Sequence, residues 1–195
     1  MTNATHEDRK ILILEEEIDK RIVSLCKEVV ENCDGVELVL IGVLEGASTL
    51  TDEIYEILTD LGVNCEIDYM KVSSYGDEEE SSEEVKIEYD PKVDIAGKNV
   101  LIVEDIVDTG LSMKKVLELL ASYSPTLVEI LSLLSKPDRR KHDVVIKYLG
   151  FEIDNVFVWG RGLDLYGKLR KLRDIYYKPN GSDARYRIPE SKLVA

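Results

Sequence analysis

The chain has 195 residues, 44% of them hydrophobic and 33% charged, which is enough to bury a substantial core, and we expect a single domain. Its 39 acidic and 25 basic residues give a formal net charge of −14, which argues against binding to the phosphate backbone of nucleic acid or to an anionic membrane. No apolar run approaches the roughly 18 to 20 residues of a membrane span, and the polar first ten residues contain no signal-peptide core. We therefore expect a cytoplasmic protein, for which a small anionic ligand is still allowed.

The first third of the chain alternates between strand and helix patterns. Residues 1–10 are expected to be disordered, and an amphipathic helix is predicted from about Glu15 to Asn32, because its apolar residues recur at helical spacing. Val36–Val43 is a nearly continuous apolar run, which is typical of a buried strand. A second helix stops at Gly62, and Cys65–Val72 is predicted to be the next strand. This order indicates a β-α-β arrangement.

An acidic segment follows the predicted strand Cys65–Val72. Residues 73–85 are crowded with acids around Gly76 and have almost no apolar residue, so we expect a flexible loop of the length typical of active-site lids. Val85–Tyr89 has the alternation of a strand that could close a hairpin.

The run from Lys98 to Ser112 changes character halfway. Asn99–Val103 is apolar and β-branched, as expected of a central parallel strand, and from Met113 the apolar period becomes helical. Thr109–Ser112 is therefore expected at a helix N-terminus, where free backbone N–H groups, the helix dipole and two hydroxyls can hold a phosphate. Gly110 would allow the backbone to approach that phosphate closely. We predict an anion site here.

Three carboxylates precede this turn and would repel a phosphate unless they face another part of the ligand. Carboxylates accept hydrogen bonds from a vicinal diol and are ligands that Mg²⁺ prefers, so Glu104, Asp105 and Asp108 suggest a ribose and a metal ion. Taken alone, an Asp-Thr-Gly turn is more often a solvated turn that caps a helix, with Asp108 or Thr109 as the N-cap.

The second half of the chain contains further strands and a tail. Leu127–Leu134 is predicted to be a buried strand that leads into Lys136–Arg140. Tyr148–Ile153 and Val156–Trp159 are candidates for short strands, whereas the tail, residues 178–195, has no clear period and is left unassigned.

Three candidate site loops each follow an apolar strand, at Glu45–Gly46, Asp105–Ser112 and Lys136–Pro137. Alternating strands and helices favour an α/β fold with a doubly wound, mainly parallel central sheet and helices on both faces, and such sheets bind ligands at the carboxyl ends of their strands. No Gly-x-Gly-x-x-Gly or Gly-x-x-x-x-Gly-Lys-Ser/Thr motif is present, which argues against dinucleotide and ordinary P-loop sites.

A family resemblance adds to this interpretation. The 13 positions of Val100–Ser112 resemble the phosphoribosyl-diphosphate (PRPP) motif of type I phosphoribosyltransferases. Four further blocks resemble the hypoxanthine-guanine members of that family, and they are Leu40–Gly46, Asp68–Tyr75, Leu134–Arg140 and Gly150–Arg170. The resemblance implies the type I fold with a small base-binding hood, and an enzyme that joins hypoxanthine or guanine to PRPP to give IMP or GMP and pyrophosphate in purine salvage.

The resemblance also implies a domain plan, a cofactor and roles for individual residues. One domain would cover residues 1–177, with the base-binding region at about 136–177, and the protein would use Mg²⁺ and form a homodimer or homotetramer. Asp108 would be the general base near N7 of the purine. The implied PRPP contacts are Glu104, Asp105, Asp108, Thr109, Gly110, Leu111, Ser112, Glu45, Gly46 and Arg170. The implied purine contacts are Lys136, Phe157, Val158 and Asp164. The implied metal ligands are Glu104, Asp105 and Asp164, and Ser74 and Tyr75 would begin the flexible loop.

Some positions depart from the family pattern. Glu45 stands where many members carry lysine, so we expect weaker pyrophosphate binding unless Mg²⁺ or a neighbouring cation offsets the carboxylate. Arg161, Trp159 and Arg173-Asp174 also depart and are expected to flank the base pocket, which leaves the choice among hypoxanthine, guanine and xanthine open. The alternatives are an enzyme that acts on xanthine or another purine base, and a regulatory protein that binds nucleotide or PRPP without turnover.

Overall fold

The computed structural model describes residues 9–33, 37–75, 84–179 and 183–189. The helices are α1 (Glu15–Asn32), α2 (Ser48–Asp60) and α3 (Leu111–Ser122), and a 3-10 turn spans Pro137–Arg139. The strands are β1 (Lys10–Ile13), β2 (Leu38–Leu44), β3 (Cys65–Tyr75), β4 (Glu84–Tyr89), β5 (Asn99–Val107), β6 (Leu127–Ser135), β7 (Tyr148–Ile153), β8 (Val158–Trp159), β9 (Ile175–Tyr177) and β10 (Tyr186–Arg187). None of the helices in these ranges is long and apolar enough to cross a membrane.

Seven strands form the main sheet, in the order β10-β7-β6-β5-β2-β3-β4. The five inner strands are parallel, and the edge strands β4 and β10 are antiparallel to their neighbours. The chain runs from β2 outward to β3 on one side and to β5, β6 and β7 on the other, so the strand order reverses between β2 and β5. Ligands of doubly wound sheets bind at this reversal, outside the carboxyl ends of the strands. The predicted fold class is confirmed.

Helices cover both faces of the sheet, which explains why its central strands are apolar throughout. In β2 and β5, Leu40 and Leu101 pack with α1 and α2 in one buried cluster. Their neighbours Ile41 and Ile102 pack with α3 in a second cluster on the opposite face. Because successive strand residues point to opposite faces, both sets must be apolar.

A second, three-stranded antiparallel sheet has the order β1-β9-β8. It joins the start of the described chain to its last third, since Lys10 pairs with Tyr177. Trp159 of β8 is buried and stacks on Tyr176 of β9, with ring centroids 6.4 Å apart. This sheet is the hood expected from the family resemblance.

Several predicted bounds are confirmed and others are wrong. Helix α1 and strand β7 have the predicted limits. Lys10 was expected to be disordered but is the first residue of β1. Residues 1–8, also expected to be disordered, lie outside the described residues. The unassigned tail contains β10, which pairs with β7. The expected loop at 73–85 is wrong at both ends, because residues 73–75 pair with residues 84–86 in the β3–β4 ladder. Residues 76–83 lie outside the described residues.

Arg161 was expected to flank the base pocket, but its side chain contacts the first two helices instead. Its Nη2 donates to Asp19 Oδ1 at 2.7 Å and to Glu53 Oε2 at 2.7 Å, and the side chain is only 10% exposed. The arginine therefore ties the segment after β8 to α1 and α2.

Replacing Arg161 with methionine should lower the free energy of unfolding by about 1–3 kcal/mol, because two partly buried carboxylates lose their shared cation. Arg173→Met is the matched control. Arg173 pairs with Glu15, but it is 67% exposed, so its loss should cost at most about 1 kcal/mol. Urea unfolding at pH 7 measures both, and equal stabilities of the two variants would contradict a structural role for Arg161.

Candidate active site

Two carboxylic acids lie inside β5, before its end. The strand continues to Val107, so Glu104 and Asp105 belong to the ladder with β6 and not to the loop predicted after Val103. Asp105 is 8% exposed, and its Oδ1 accepts a hydrogen bond of 2.7 Å from the Ile106 N–H. Both groups are therefore held by a rigid strand.

The β5 acids contact the loop that follows β2. A Cβ atom at Gly46 would lie 1.7 Å from Asp105 Oδ2, so only glycine allows this approach. On its other side Gly46 meets Gly162, where a Cβ would lie 2.0 Å from the Gly46 carbonyl oxygen. The loop after β2 is thus clamped between the central strand and the segment that follows β8.

Burial perturbs both carboxyl groups. It raises the pKa of Asp105 from 3.8 to about 6, although the Ile106 N–H and the charge of Arg170 act in the opposite direction. It raises the pKa of Glu104 well above its ordinary value, and the neighbouring Asp105 carboxylate adds to the rise. The Oε2 of Glu104 is buried and has no hydrogen-bond partner among the described residues. A hydrogen-bond donor or a cation that bound here would stabilise the ionised form of these carboxyl groups.

The turn after β5 delivers the start of α3. Gly110 is the N-cap, with φ 86°, in place of the Asp108 or Thr109 considered from the sequence. A Cβ there would meet the His142 carbonyl oxygen at 2.8 Å, because the turn packs on the segment after β6. The Thr109 carbonyl oxygen accepts hydrogen bonds from the N–H groups of Lys141 and His142, at 3.0 Å each. The turn is thus rigid, and the first N–H groups of α3 have no intrahelical partners.

A second group of charges forms where β5 and β6 end side by side. The Lys136 N–H donates to the Val107 carbonyl oxygen at 3.1 Å, which continues the ladder past the strand ends. The Lys136 Nζ lies 3.7 Å from Asp108 Oδ2, and the Arg139 Nε donates to Asp108 Oδ1 at 2.7 Å. Burial lowers the pKa of Lys136, and the Asp108 carboxylate partly opposes this. Arg139 was not predicted as a site residue, although it lies in the recognised block Leu134–Arg140.

The segment after β8 brings another ion pair to the clamped loop. The Arg170 Nη2 lies 2.8 Å from Asp164 Oδ1, and its Nη1 donates to the Gly162 carbonyl oxygen at 2.7 Å. The Gly167 N–H donates to Asp164 Oδ2 at 2.7 Å. Because Gly162 contacts Gly46, this pair lies at the same end of the sheet as Asp105.

Other predicted residues lie apart from these contacts. Phe157 is 57% exposed and its ring centroid is 6.3 Å from that of Trp159, while Val158 is buried in β8. No hydrogen bond or ring contact among the described residues joins Phe157 to Lys136. Ser74 and Tyr75 form the last described part of β3.

Glu45 has the neighbouring cation that was considered from the sequence. The Lys71 Nζ lies 3.6 Å from Glu45 Oε1 and 3.4 Å from Glu88 Oε2. Lys71 was not predicted as a site residue, because only the pairing of β2 with β3 and of β3 with β4 brings it beside these two acids.

The chain is similar to known proteins in sequence and in fold. A family model described as "Phosphoribosyl transferase domain" matches residues 13–165. The hypoxanthine-guanine phosphoribosyltransferase of Dictyostelium discoideum is 36% identical over 165 residues, which is 84% of this chain and 92% of the relative. A crystal structure of a hypoxanthine phosphoribosyltransferase from Staphylococcus aureus superposes with a TM-score of 0.83 at 36% identity, over 92% of this chain and 96% of that one. A Trypanosoma cruzi hypoxanthine phosphoribosyl transferase gives a TM-score of 0.83 at 35% identity, over 90% and 94% of the two chains.

Proposed function

The chain belongs to the phosphoribosyl transferase family, and from that premise we propose that it transfers the phosphoribosyl group of PRPP to hypoxanthine or guanine. The products are IMP or GMP and pyrophosphate. The observation that carries the choice of a 6-oxopurine is the pair formed by Asp108 and Lys136, 3.7 Å apart at the ends of adjacent strands.

This pair matches one edge of a purine. N7 and O6 are neighbours on the edge that 6-oxopurines also present in the major groove of DNA. A protonated N7 can donate to the Asp108 carboxylate while O6 accepts a hydrogen bond from the Lys136 ammonium. Adenine carries an amino donor at position 6, which cannot accept from an ammonium, so this pair selects against adenine.

The remaining groups suit PRPP. The hydroxyls of Thr109 and Ser112 and the backbone N–H groups of Thr109, Gly110, Leu111 and Ser112 would bind the 5′-phosphate at the start of α3, where the Leu111 N–H now donates to the Thr109 Oγ1 at 3.4 Å. Glu104 and Asp105 would accept hydrogen bonds from the ribose hydroxyls, which would give the unpartnered oxygen of Glu104 a partner. Arg170 would bind pyrophosphate next to Gly46, since a guanidinium fork suits that anion.

The residues present also fit Mg²⁺. The donors are carboxylates, but no group of three or more His, Cys, Asp or Glu side chains in the described ranges is placed to hold a metal ion alone. Mg²⁺ commonly takes one or two protein carboxylates and completes its shell with water and substrate phosphates. Glu104, Asp105 and Asp164 are the carboxylates that would hold it, one or two at a time, and when bound it would offset the charge of the departing pyrophosphate.

In the reaction, the bond between C1′ and the pyrophosphate oxygen breaks, and that oxygen keeps the electron pair. The purine N9 forms the new bond to C1′, and the N7 proton passes to Asp108 as general base. The Asp108 Oδ1 is held by Arg139, so Oδ2 is the oxygen available for this proton. The protein would mainly position the reactants and stabilise charge on pyrophosphate.

An assay with PRPP, Mg²⁺ and five purines tests this proposal. Hypoxanthine and guanine should be converted, and adenine and 2,6-diaminopurine, which lack O6, should not, while xanthine tests the selectivity at position 2. Turnover of xanthine alone would replace the assignment by the xanthine alternative. PRPP binding without turnover of any base would favour the regulatory alternative.

Replacing Lys136 with alanine should raise the KM for hypoxanthine and guanine by about 10-fold or more, because a charge-assisted hydrogen bond to O6 is lost. The Kd for PRPP should change less than about 3-fold. Lys141→Ala, an exposed lysine of the same segment, is the control and should change neither constant. If Lys136→Ala weakened the binding of the purine and of PRPP by the same factor, Lys136 would have a structural role.

We also propose that the chain forms a homodimer or homotetramer, as the family resemblance implies. Sedimentation velocity at micromolar protein concentration tests this, and a monomer at all concentrations would contradict it.

A further inference from the structure

We propose that Lys71 supplies the cation that the loop after β2 lacks, and that Glu45 positions its ammonium group toward pyrophosphate. This inference rests on the proposed function, because it assigns a further contact for the pyrophosphate of PRPP. Glu45 was expected to weaken pyrophosphate binding. In this proposal it is instead one member of a charge pair, in which the carboxylate lies in the loop and the lysine lies on β3.

Strand pairing brings the two residues together. Lys71 lies opposite Leu44 in the parallel β2–β3 ladder, so its side chain reaches the residue that follows Leu44. On the other side Lys71 pairs with Tyr89 of β4, next to Glu88. Both strands are thus needed to hold the ammonium group at the mouth of the loop.

The distances leave the ammonium group available to a ligand. At 3.6 Å from Glu45 Oε1 and 3.4 Å from Glu88 Oε2, Lys71 is farther from both carboxylates than the 2.7–2.9 Å of a strong charge-assisted hydrogen bond. Its side chain is 40% exposed. Two partners at more than strong hydrogen-bond distance keep Lys71 near the loop, and its exposed ammonium group can still bind a third anion.

The loop next to Lys71 is the one that meets the proposed pyrophosphate site. Gly46, adjacent to Glu45, contacts Asp105 on the central strand and Gly162 in the segment that carries Arg170. Arg170 already shares its guanidinium with Asp164 and the Gly162 carbonyl oxygen. Pyrophosphate would therefore have Arg170 on the hood side of the loop and Lys71 on the β3 side.

The competing explanation is an ordinary surface ion pair. Exposed pairs contribute little to stability and have no reason to affect ligand binding. The chain contains a second lysine between two carboxylates at the opposite end of the sheet, where Lys98 lies near Glu37 and donates a hydrogen bond to Glu66. Lys98 therefore controls for the loss of a lysine with two acidic partners, away from the carboxyl ends of the strands.

Calorimetric titration of the full chain with pyrophosphate in Mg²⁺ separates the two explanations. Lys71→Met should raise the Kd for pyrophosphate by about 10-fold, the loss expected for one charge-assisted hydrogen bond, whereas Lys98→Met should leave it unchanged. The Kd for IMP, which carries no pyrophosphate, should be the same in all three proteins and shows that each variant is folded. Equal pyrophosphate affinities of Lys71→Met and Lys98→Met would overturn the inference.

A charge exchange tests the role of Glu45. Lys71→Glu should weaken pyrophosphate binding by about 30-fold or more, and adding Glu45→Lys should recover most of that loss, because the cation then lies in the loop itself. Failure of the double variant to bind better than Lys71→Glu would overturn the pairing of the two roles. If the unaltered chain binds neither PRPP nor pyrophosphate, the proposed function fails, and this outcome differs from normal binding that is insensitive to Lys71.

Discussion

Replacing Asp108 with asparagine should lower kcat by about 10²- to 10⁴-fold, the range for loss of a general base, while the Kd for PRPP stays nearly unchanged. Asparagine has nearly the same size and keeps an oxygen that can accept the 2.7 Å hydrogen bond from the Arg139 Nε. It cannot take the N7 proton. The substitution therefore separates proton removal from the geometry of the turn.

Steady-state kinetics with saturating PRPP and hypoxanthine measure this effect, and calorimetry measures PRPP binding. Asp138→Asn is the control, because Asp138 is an exposed acid on the 3-10 turn that carries Arg139. Its kcat should stay within about twofold of the unaltered protein. Normal turnover in Asp108→Asn would remove Asp108 from the mechanism, and a parallel loss of PRPP affinity would make it a binding residue.

Replacing Asp105 with asparagine should weaken PRPP binding by about 100-fold or more, because a carboxylate that accepts hydrogen bonds from a diol next to Mg²⁺ becomes neutral. The same variant should be more stable than the unaltered protein in the absence of PRPP and Mg²⁺. Asparagine retains the acceptor for the Ile106 N–H but carries no charge to bury. Binding and stability should therefore change in opposite directions.

The pH dependence of this stability gain follows from the raised pKa of Asp105. Between pH 3.8 and about pH 6, Asp105 is protonated in the folded protein but ionised in the unfolded chain. The free energy of unfolding therefore falls as the pH rises through this window. The rise in pKa corresponds to roughly 3 kcal/mol at pH 7.5, and we expect Asp105→Asn to recover about 1–3 kcal/mol there. At pH 3.5 Asp105 is mostly protonated in both the folded and the unfolded state, so the gain should nearly vanish.

Urea unfolding at the two pH values tests this expectation, with EDTA present to remove metal ions. Asp138→Asn should show no such difference between the two conditions, because that side chain is exposed. A gain of equal size at both pH values would mean that the ionisation of Asp105 is not its source. Unchanged PRPP affinity would remove Asp105 from the ribose site.

Local sequence patterns were sufficient for most of the framework. The helical period of α1 and the apolar run of β7 predicted their limits, because each depends on residues close together in the chain. The string Val100–Ser112 likewise predicted a strand, a turn and a helix start in consecutive residues, and β5 and α3 have this order. The doubly wound class followed from the alternation of such elements.

The same patterns failed where an element depends on a distant partner. Glu104 and Asp105 look like the start of a loop, but the β6 ladder extends β5 through them to Val107. Strands β1 and β10 are too short to show a period. Each forms because it pairs with a distant strand, β1 with β9 and β10 with β7. Pairing energy between distant segments is not visible in either sequence window alone.

Composition and family resemblance named most of the charged residues of the site, but only the tertiary structure decided how they pair. Asp108 meets Lys136, and Glu45 meets Lys71, because strand order places the ends of β5 and β6, and of β2 and β3, side by side. Arg161 pairs with acids of α1 and α2 because the segment after β8 lies next to those helices. Two charged side chains interact strongly only when they are a few ångströms apart. The burial of apolar faces throughout the chain determines which charged side chains come that close.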